Sequence, residues 1–202
     1  LGKLQACPSR RSTLRKKKKK DKDGNIIPDR TPKQRKNNIK FTFARYMFAF
    51  IREGFGDLPV WKIAAAQRGM TDDNLIHSTN YKYLDEKGEI LDMEGFQVSL
   101  GPLALPINLR ATRNSTLVTI TWDDSRDNPS AAPTDRMMVG IFYANYRDTF
   151  TLEKETGATR RDGKCEITLR NDDGEVCIHP FFARADNTAF SEDKAITLPD
   201  TE

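Results

Sequence analysis

The chain has 202 residues, of which 37% are hydrophobic and 31% are charged, so it is long enough for one large or two small domains with a modest core. It contains no run of about 18 apolar residues, and its basic N-terminus lacks the apolar stretch of a secretory signal, so we expect neither a transmembrane helix nor such a signal. The three cysteines, Cys7, Cys165 and Cys177, show no CxxC spacing, and we expect reduced thiols.

Positive charge is concentrated at the N-terminus. Residues 1–40 contain 15 Lys and Arg residues against three acids, a net charge of +12, whereas residues 41–202 have a net charge of −8. Such asymmetry between segments indicates a partner rather than a fold. The partner of the basic segment is either nucleic acid or the acidic body of a neighbouring copy.

Residues 1–32 are predicted to form an extended basic arm, because prolines and glycines interrupt them and no apolar periodicity occurs. The stretch DKDGN, from Asp21 to Asn25, predicts a turn. Adjacent lysines repel one another and bury little apolar area, so we expect a negatively charged partner to hold the arm. The predicted partner-binding residues are Arg10, Arg11, Arg15, Lys16, Lys17, Lys18, Lys19, Lys20 and Lys22.

Residues 33–86 are predicted to be helical. Thr31 can cap a first helix, and Pro32 suits its first position. Apolar residues spaced three to four apart predict one buried helical face, made of Ile39, Phe43, Met47, Phe50 and Ile51. The additional aromatic residues are a candidate interface with another subunit, namely Phe41, Tyr46 and Phe48.

Two more helices are predicted at roughly 59–68 and 72–83, the second with Thr71 as its N-cap and acids in its first turn. Residues 87–102 are predicted to be a linker.

Residues 103–202 are predicted to form a seven-stranded immunoglobulin-like β-sandwich. Seven short runs with period-two patterning, rich in β-branched and aromatic residues, alternate with clusters of turn residues. Alternation within two of these runs places Trp122 and Cys165 in the core and Thr121 and Glu166 in water. The predicted fold class is therefore α+β: an extended basic arm, a short helical region and a C-terminal sandwich.

The strand TLVTITWDD, which contains Trp122, and the later strand–turn–strand CIHPFFARADNTAFSED are similar to those of fibronectin type III-like domains. This resemblance covers about residues 103–198. It implies the sandwich fold and no particular function, because the fold supports many roles.

A second resemblance rests on individual residues that occur in a fixed order along the whole chain. They are Thr31, Gln34, Arg35 and Phe41, then Met70, Thr71, Asn74, Ser78 and Asn80, then Trp122, Asp124, Asp135, Met138, Val139, Ile141 and Tyr143. In this order the chain resembles an uncharacterised domain family of Bacteroidota genomes and their phages. It departs from that family in the arm, where lysines replace glycines. The resemblance implies an architecture and a lineage rather than an activity.

No catalytic or cofactor signature is present. His77 and His179 have no Cys, His or Asp at metal-ligand spacing, and we expect surface or partly buried structural residues. Cys165 alternates with Ile167 and Leu169, which is typical of an inert core thiol.

The acidic stretches 122–128 and 170–175 are typical of surface loops, with a weak cation site as the alternative. A phosphate loop, a dinucleotide fingerprint and a nucleophile elbow are all missing from the sequence. We therefore expect a protein that is not an enzyme and needs no cofactor.

The favoured hypothesis is a non-catalytic structural subunit of a large assembly, most specifically a phage virion protein of the capsid, neck or tail. An arm of about 30 residues can reach about 100 Å at roughly 3.3 Å per residue, far enough to clamp neighbouring subunits. The expected partners are copies of the chain and other structural proteins of the assembly, without a membrane. The expected location is the virion, assembled in the bacterial cytoplasm.

The main alternative is a cytoplasmic nucleic-acid- or ribosome-binding protein whose arm neutralises phosphates. Against it, the arm contains no aromatic residue for base stacking, and the rest of the chain is acidic. A cell-surface adhesin module is a third, weaker hypothesis.

Overall fold

The computed structural model describes residues 22–23, 30–123, 128, 130–171 and 174–200, except for the side chains of 147–149. The chain divides into two units, Leu1–Arg35 and Lys36–Glu202. In the first unit, Lys22 and Asp23 lie in an exposed turn, as the DKDGN stretch predicts. The first helix begins in the same unit, at Pro32. Apart from the start of this helix, which belongs to the first unit, the architecture below is that of the second unit.

Among the described residues, three α-helices precede the strands: α1 (Pro32–Phe55), α2 (Val60–Ala66) and α3 (Asp72–Asn80), which continues into a 3-10 turn (Tyr81–Tyr83). The start of α1 is a capping box, because the Thr31 hydroxyl accepts the Gln34 amide and the Gln34 side chain accepts the Thr31 amide. The Thr71 hydroxyl accepts the Asn74 amide at the start of α3. All three predicted helices and both predicted caps are confirmed.

Seven strands follow in the part of the chain that the structure describes: β1 (Ile107–Asn114), β2 (Leu117–Asp123), β3 (Arg136–Tyr143), β4 (Tyr146–Glu153), β5 (Lys164–Thr168), β6 (Val176–Ala183) and β7 (Ile196–Leu198). They form a three-stranded sheet in the order β1-β2-β5 and a four-stranded sheet in the order β4-β3-β6-β7. The pairings between these seven strands are all antiparallel. The predicted α+β fold class is confirmed, and the two sheets are compatible with an immunoglobulin-like sandwich.

The interior of the sandwich contains the side chains predicted for it. Trp122 is buried between the sheets and its ring meets the ring of Phe182 edge-on. Its Nε1 atom donates to the carbonyl oxygen of Arg160 at 2.7 Å. Strands β2 and β5 alternate buried and exposed residues, as predicted for a sheet with one face in water.

Strands β3 and β6 do not alternate, and here the expected period-two pattern is wrong. Nearly every residue of both strands is buried, because the four-stranded sheet is covered on both faces. Met137 and Val139 point into the sandwich, whereas Met138 and Phe142 point to a second core that the helices share. A strand buried on both faces requires a continuous apolar run.

The segment predicted to be a linker, 87–102, supplies part of this second core. Ile90, Phe96, Val98 and Leu100 are buried against the helices and the four-stranded sheet. Gly140 of β3 lets the segment approach closely, since a Cβ atom there would lie 2.9 Å from a methyl carbon of Val98. Helices and sandwich are therefore parts of one compact unit.

The buried face of α1 differs from the prediction. Met47 and Ile51 are buried as expected, but Ile39, Phe43 and Phe50 are exposed. The face that packs inward consists of Ala44, Met47, Phe48, Ile51 and Phe55. The small side chain of Ala44 permits close packing at its centre, and the spacing of the apolar residues alone does not distinguish the two faces.

Candidate interaction surface

The predicted arm residues Arg10, Arg11, Arg15 and Lys16 to Lys20 lie outside the described residues, and Lys22 is exposed. Helix α1 continues the basic composition, with six Lys and Arg residues and one acid. Residues 1–55 contain 17 basic residues against four acids, a net charge of +13, whereas residues 56–202 contain 16 against 25, a net charge of −9. The boundary between the two charges therefore falls at the end of α1.

Helix α1 exposes a stripe of large apolar side chains. Ile39, Phe43, Tyr46 and Phe50 are 54%, 44%, 68% and 40% exposed. Their spacing of four, three and four residues places them on one side of the helix. We call these four residues the α1 stripe. Four exposed apolar residues in one row are typical of a surface that contacts another molecule.

A groove of about 800 Å³ lies between α1 and the start of α3. Its aromatic lining is formed by Phe41, Tyr46, Phe48 and His77, and Tyr46 makes the groove continuous with the α1 stripe. Two of the three predicted interface residues, Phe41 and Tyr46, are exposed here. The third, Phe48, is 3% exposed and packs on Phe96, so it is a core residue whose ring forms the floor of the groove.

Polar residues surround this aromatic floor. Arg52 is ion-paired with Asp73 across the groove. Arg45 is exposed, and no ion pair joins it to any residue that the structure describes. Burial lowers the pKa of His77, whose ring stacks on Tyr81 at 4.5 Å, so the imidazole is neutral at neutral pH. The groove thus combines an apolar floor with an arginine that has no ion-pair partner among the described residues.

An acidic turn projects from the same unit. Residues 85–94 contain Asp85, Glu86, Glu89, Asp92 and Glu94 against one lysine. Leu91, in the middle of these acids, is 61% exposed. The turn is tightly built, because the Asp85 carboxylate accepts the amides of Lys87 and Glu89. Leu91 is therefore an exposed apolar side chain with carboxylates on both sides, and we call this side chain the Leu91 knob.

Glycine fixes the position of this turn on α1. Gly88 has a φ of +82°, and a Cβ atom there would lie 2.6 Å from the Cβ atom of Phe43. Beside it, Lys36 forms an ion pair with Glu86. Phe43 lies two residues from both Phe41 and Arg45, about 200° around the helix from each, so the turn and the groove are on different sides of α1.

His179 corrects one expectation about the histidines. It is fully buried, not on the surface or partly buried, and lies between Asp193 and Cys177, at 2.7 Å and 3.4 Å. Burial lowers the pKa of His179, but the hydrogen bonds to Asp193 and Cys177 outweigh it and raise the pKa to about 9. The imidazole is therefore protonated at neutral pH, and its pair with Asp193 is a buried ion pair. Spacing along the sequence does not reveal this ion pair, because Asp193 belongs to a segment that follows β6 in the chain.

The cysteine expectation holds where the structure describes it. Cys165 is buried, and burial, with a smaller effect of Glu166, raises the pKa of its thiol to about 12. It alternates with Ile167 and Leu169 on the inner face of β5. Such a thiol is unreactive. Cys177 is buried and Cys7 lies outside the described residues.

The two acidic stretches, predicted to be surface loops with a weak cation site as the alternative, lie partly outside the described residues, at 124–127 and 172–173. In the described part of the chain, no three His, Cys, Asp or Glu side chains come together as a metal site.

No helix in the described part of the chain is both long and apolar enough to span a bilayer.

No protein-family model matches the chain, and a comparison with curated proteins finds no similar one.

Proposed function

We propose that the protein is a non-catalytic structural subunit of a repeating assembly, in which the basic N-terminal region of one copy contacts the acidic remainder of the next. The observation that carries this proposal is the α1 stripe on a helix with six basic residues and one acid. Apolar residues drive the contact by burial. The surrounding charges select an acidic partner.

A symmetric contact between two α1 helices is disfavoured by the same charges. Pairing the α1 stripe with itself would place two strongly basic helices side by side, and like charges across an interface cost free energy. Residues 56–202, with a net charge of −9, offer the opposite sign. A contact between different surfaces of identical copies repeats, and it closes into a ring or continues as a filament or shell.

A phage virion, as a capsid, neck or tail protein, is the form of assembly that we favour. The basic arm supports it, because an arm of about 30 residues reaches well beyond one subunit. The resemblance to a domain family of Bacteroidota and their phages points in the same direction. The assembly would form in the bacterial cytoplasm.

The experiment is sedimentation velocity of nuclease-treated protein over a range of concentrations and salt. We expect the full chain to self-associate, and we expect deletion of residues 1–30 or the double change Ile39→Ser and Phe50→Ser to weaken association. Ile107→Ser is the matched control, because Ile107 is 64% exposed on β1 and lies outside both regions. A full chain that stays monomeric under all conditions would refute the proposal.

Nucleic-acid binding is the second candidate, and one observation favours it. Arg45 lies beside the exposed rings of Phe41 and Tyr46, which together provide the stacking surface that the arm lacks. Fluorescence anisotropy with a labelled single-stranded oligonucleotide tests it. If removing residues 1–30 abolishes oligonucleotide binding and leaves self-association unchanged, nucleic acid replaces the neighbouring subunit as the partner of the arm.

A further inference from the structure

We infer that the groove between α1 and α3 receives the acidic turn around Leu91 of a neighbouring copy. This inference rests on the proposed function and specifies one contact of the assembly. The basis is that the acidic turn and the groove are complementary in charge and in apolar character. Because they lie on different sides of α1, the turn of one copy cannot enter the groove of the same copy.

The turn has the chemistry of an anchor. Leu91 is 61% exposed, and it is flanked by the exposed carboxylates of Glu89, Asp92 and Glu94. Its backbone is held in place, since the Leu91 amide donates to the Tyr83 carbonyl and the Asp85 amide donates to the Glu89 carbonyl. A side chain on a rigid turn loses little conformational freedom on binding.

The groove has the complementary chemistry. Phe41, Tyr46 and Phe48 line an apolar floor, and its volume of about 800 Å³ is within the usual range for binding clefts. Arg45 at its edge lacks an ion-pair partner among the described residues. In the proposed contact, Leu91 of one copy is buried against the aromatic floor of the next. A carboxylate next to Leu91 then lies beside Arg45, so the charges are complementary as well.

The two surfaces face different ways on one subunit. Gly88 places the acidic turn against Phe43, whereas Phe41 and Arg45 line the groove about 200° around the helix. A subunit therefore offers its turn to one neighbour and its groove to another. Such a contact is heterologous, so it generates a ring or an open chain of copies.

Two single variants and their mixture test the contact by sedimentation velocity with nuclease-treated full-length protein. Leu91→Ser removes the knob and Arg45→Glu reverses the charge at the groove, and both residues are exposed, so neither change should impair folding. We expect each variant alone to self-associate at least about tenfold more weakly than the wild type. Matched controls are Leu117→Ser and Arg110→Glu, on exposed positions of the sandwich.

The mixture gives the sharper result. The Arg45→Glu protein retains an intact turn and the Leu91→Ser protein retains an intact groove, so one copy of each can make this contact once. We expect 1:1 complexes of the two variants that are more stable than the complexes that either variant forms with itself. Separate monomers in the mixture, or a symmetric homodimer of either variant, would overturn the inference.

The remaining outcomes separate this inference from the proposed function. If the wild type assembles and both variants assemble equally well, the groove is not the contact, while the structural-subunit proposal stands. If the wild type never assembles, both fail. If Arg45→Glu reduces binding of a single-stranded oligonucleotide and leaves self-association unchanged, the groove binds nucleic acid and the inference is overturned.

Discussion

The Nδ1 atom of His179 lies 2.7 Å from one carboxylate oxygen of Asp193, and both side chains are buried. The other oxygen of Asp193 accepts the backbone amides of Val98 and Ser99 at 2.9 Å and 2.8 Å. One carboxylate therefore joins strand β6 to a segment that precedes the sandwich in the chain. This contact helps to unite helices and sheets in one unit.

The His179–Asp193 pair predicts a loss of stability at alkaline pH. The folded protein raises the pKa of His179 to about 9, above its unfolded value of about 6.5. Because the folded state binds the proton more tightly, the stabilisation is complete below pH 6.5 and declines until the pH passes about 9. We expect the free energy of unfolding, measured by urea titration, to fall across this window. A His179→Gln variant should lose this pH dependence. If the variant shows the same dependence of unfolding free energy on pH as the wild type, the effect does not come from His179.

Removing the charge of Asp193 should be costly. Asp193→Asn removes the counter-ion that raises the pKa of His179, so the buried imidazole either stays charged without a partner or loses its proton. The change also weakens the bonds to two backbone amides. We expect a loss of about 3–5 kcal/mol in the free energy of unfolding at pH 7. The control is Glu192→Gln, a neighbouring exposed carboxylate. Equal stabilities of the two variants would show that the pair contributes little.

Trp122 should be among the most sensitive positions of the sandwich. Trp122→Ala empties the space beside Phe182 and removes the donor to the Arg160 carbonyl. We expect a destabilisation of about 3–5 kcal/mol in chemical denaturation. Thr121→Ala, on the exposed side of the same strand, should change stability far less. A small effect at Trp122 would indicate that the two sheets close over the cavity.

Gly88 and Gly69 form a matched pair for testing the acidic turn. Both have a positive φ, +82° and +64°, but only Gly88 lies against another element, and a Cβ at Gly69 meets nothing within 4 Å. Alanine at either position costs about 1 kcal/mol or more for the backbone conformation. We expect Gly88→Ala to cost clearly more, because its Cβ would collide with Phe43. Equal melting temperatures for the two variants would disprove this packing.

The type and order of the elements follow from local sequence. Thr31 and Thr71 cap their helices because a hydroxyl at that position satisfies free amides within the next turn. Trp122 and Cys165 lie in the core because alternation along a strand sends neighbours to opposite faces. These rules act over a few residues, so the sequence alone determines them.

Tertiary structure decides which apolar residues are covered and by what. Phe48 is buried and Phe43 is exposed although both belong to apolar rows of α1, because the sheet and α3 approach only one side. His179 is charged because Asp193, from another segment, comes within hydrogen-bonding distance. The groove beside Arg45 and the knob at Leu91 arise in the same way. Periodicity records how apolar residues are spaced, whereas burial depends on distant segments that only the folded chain brings together.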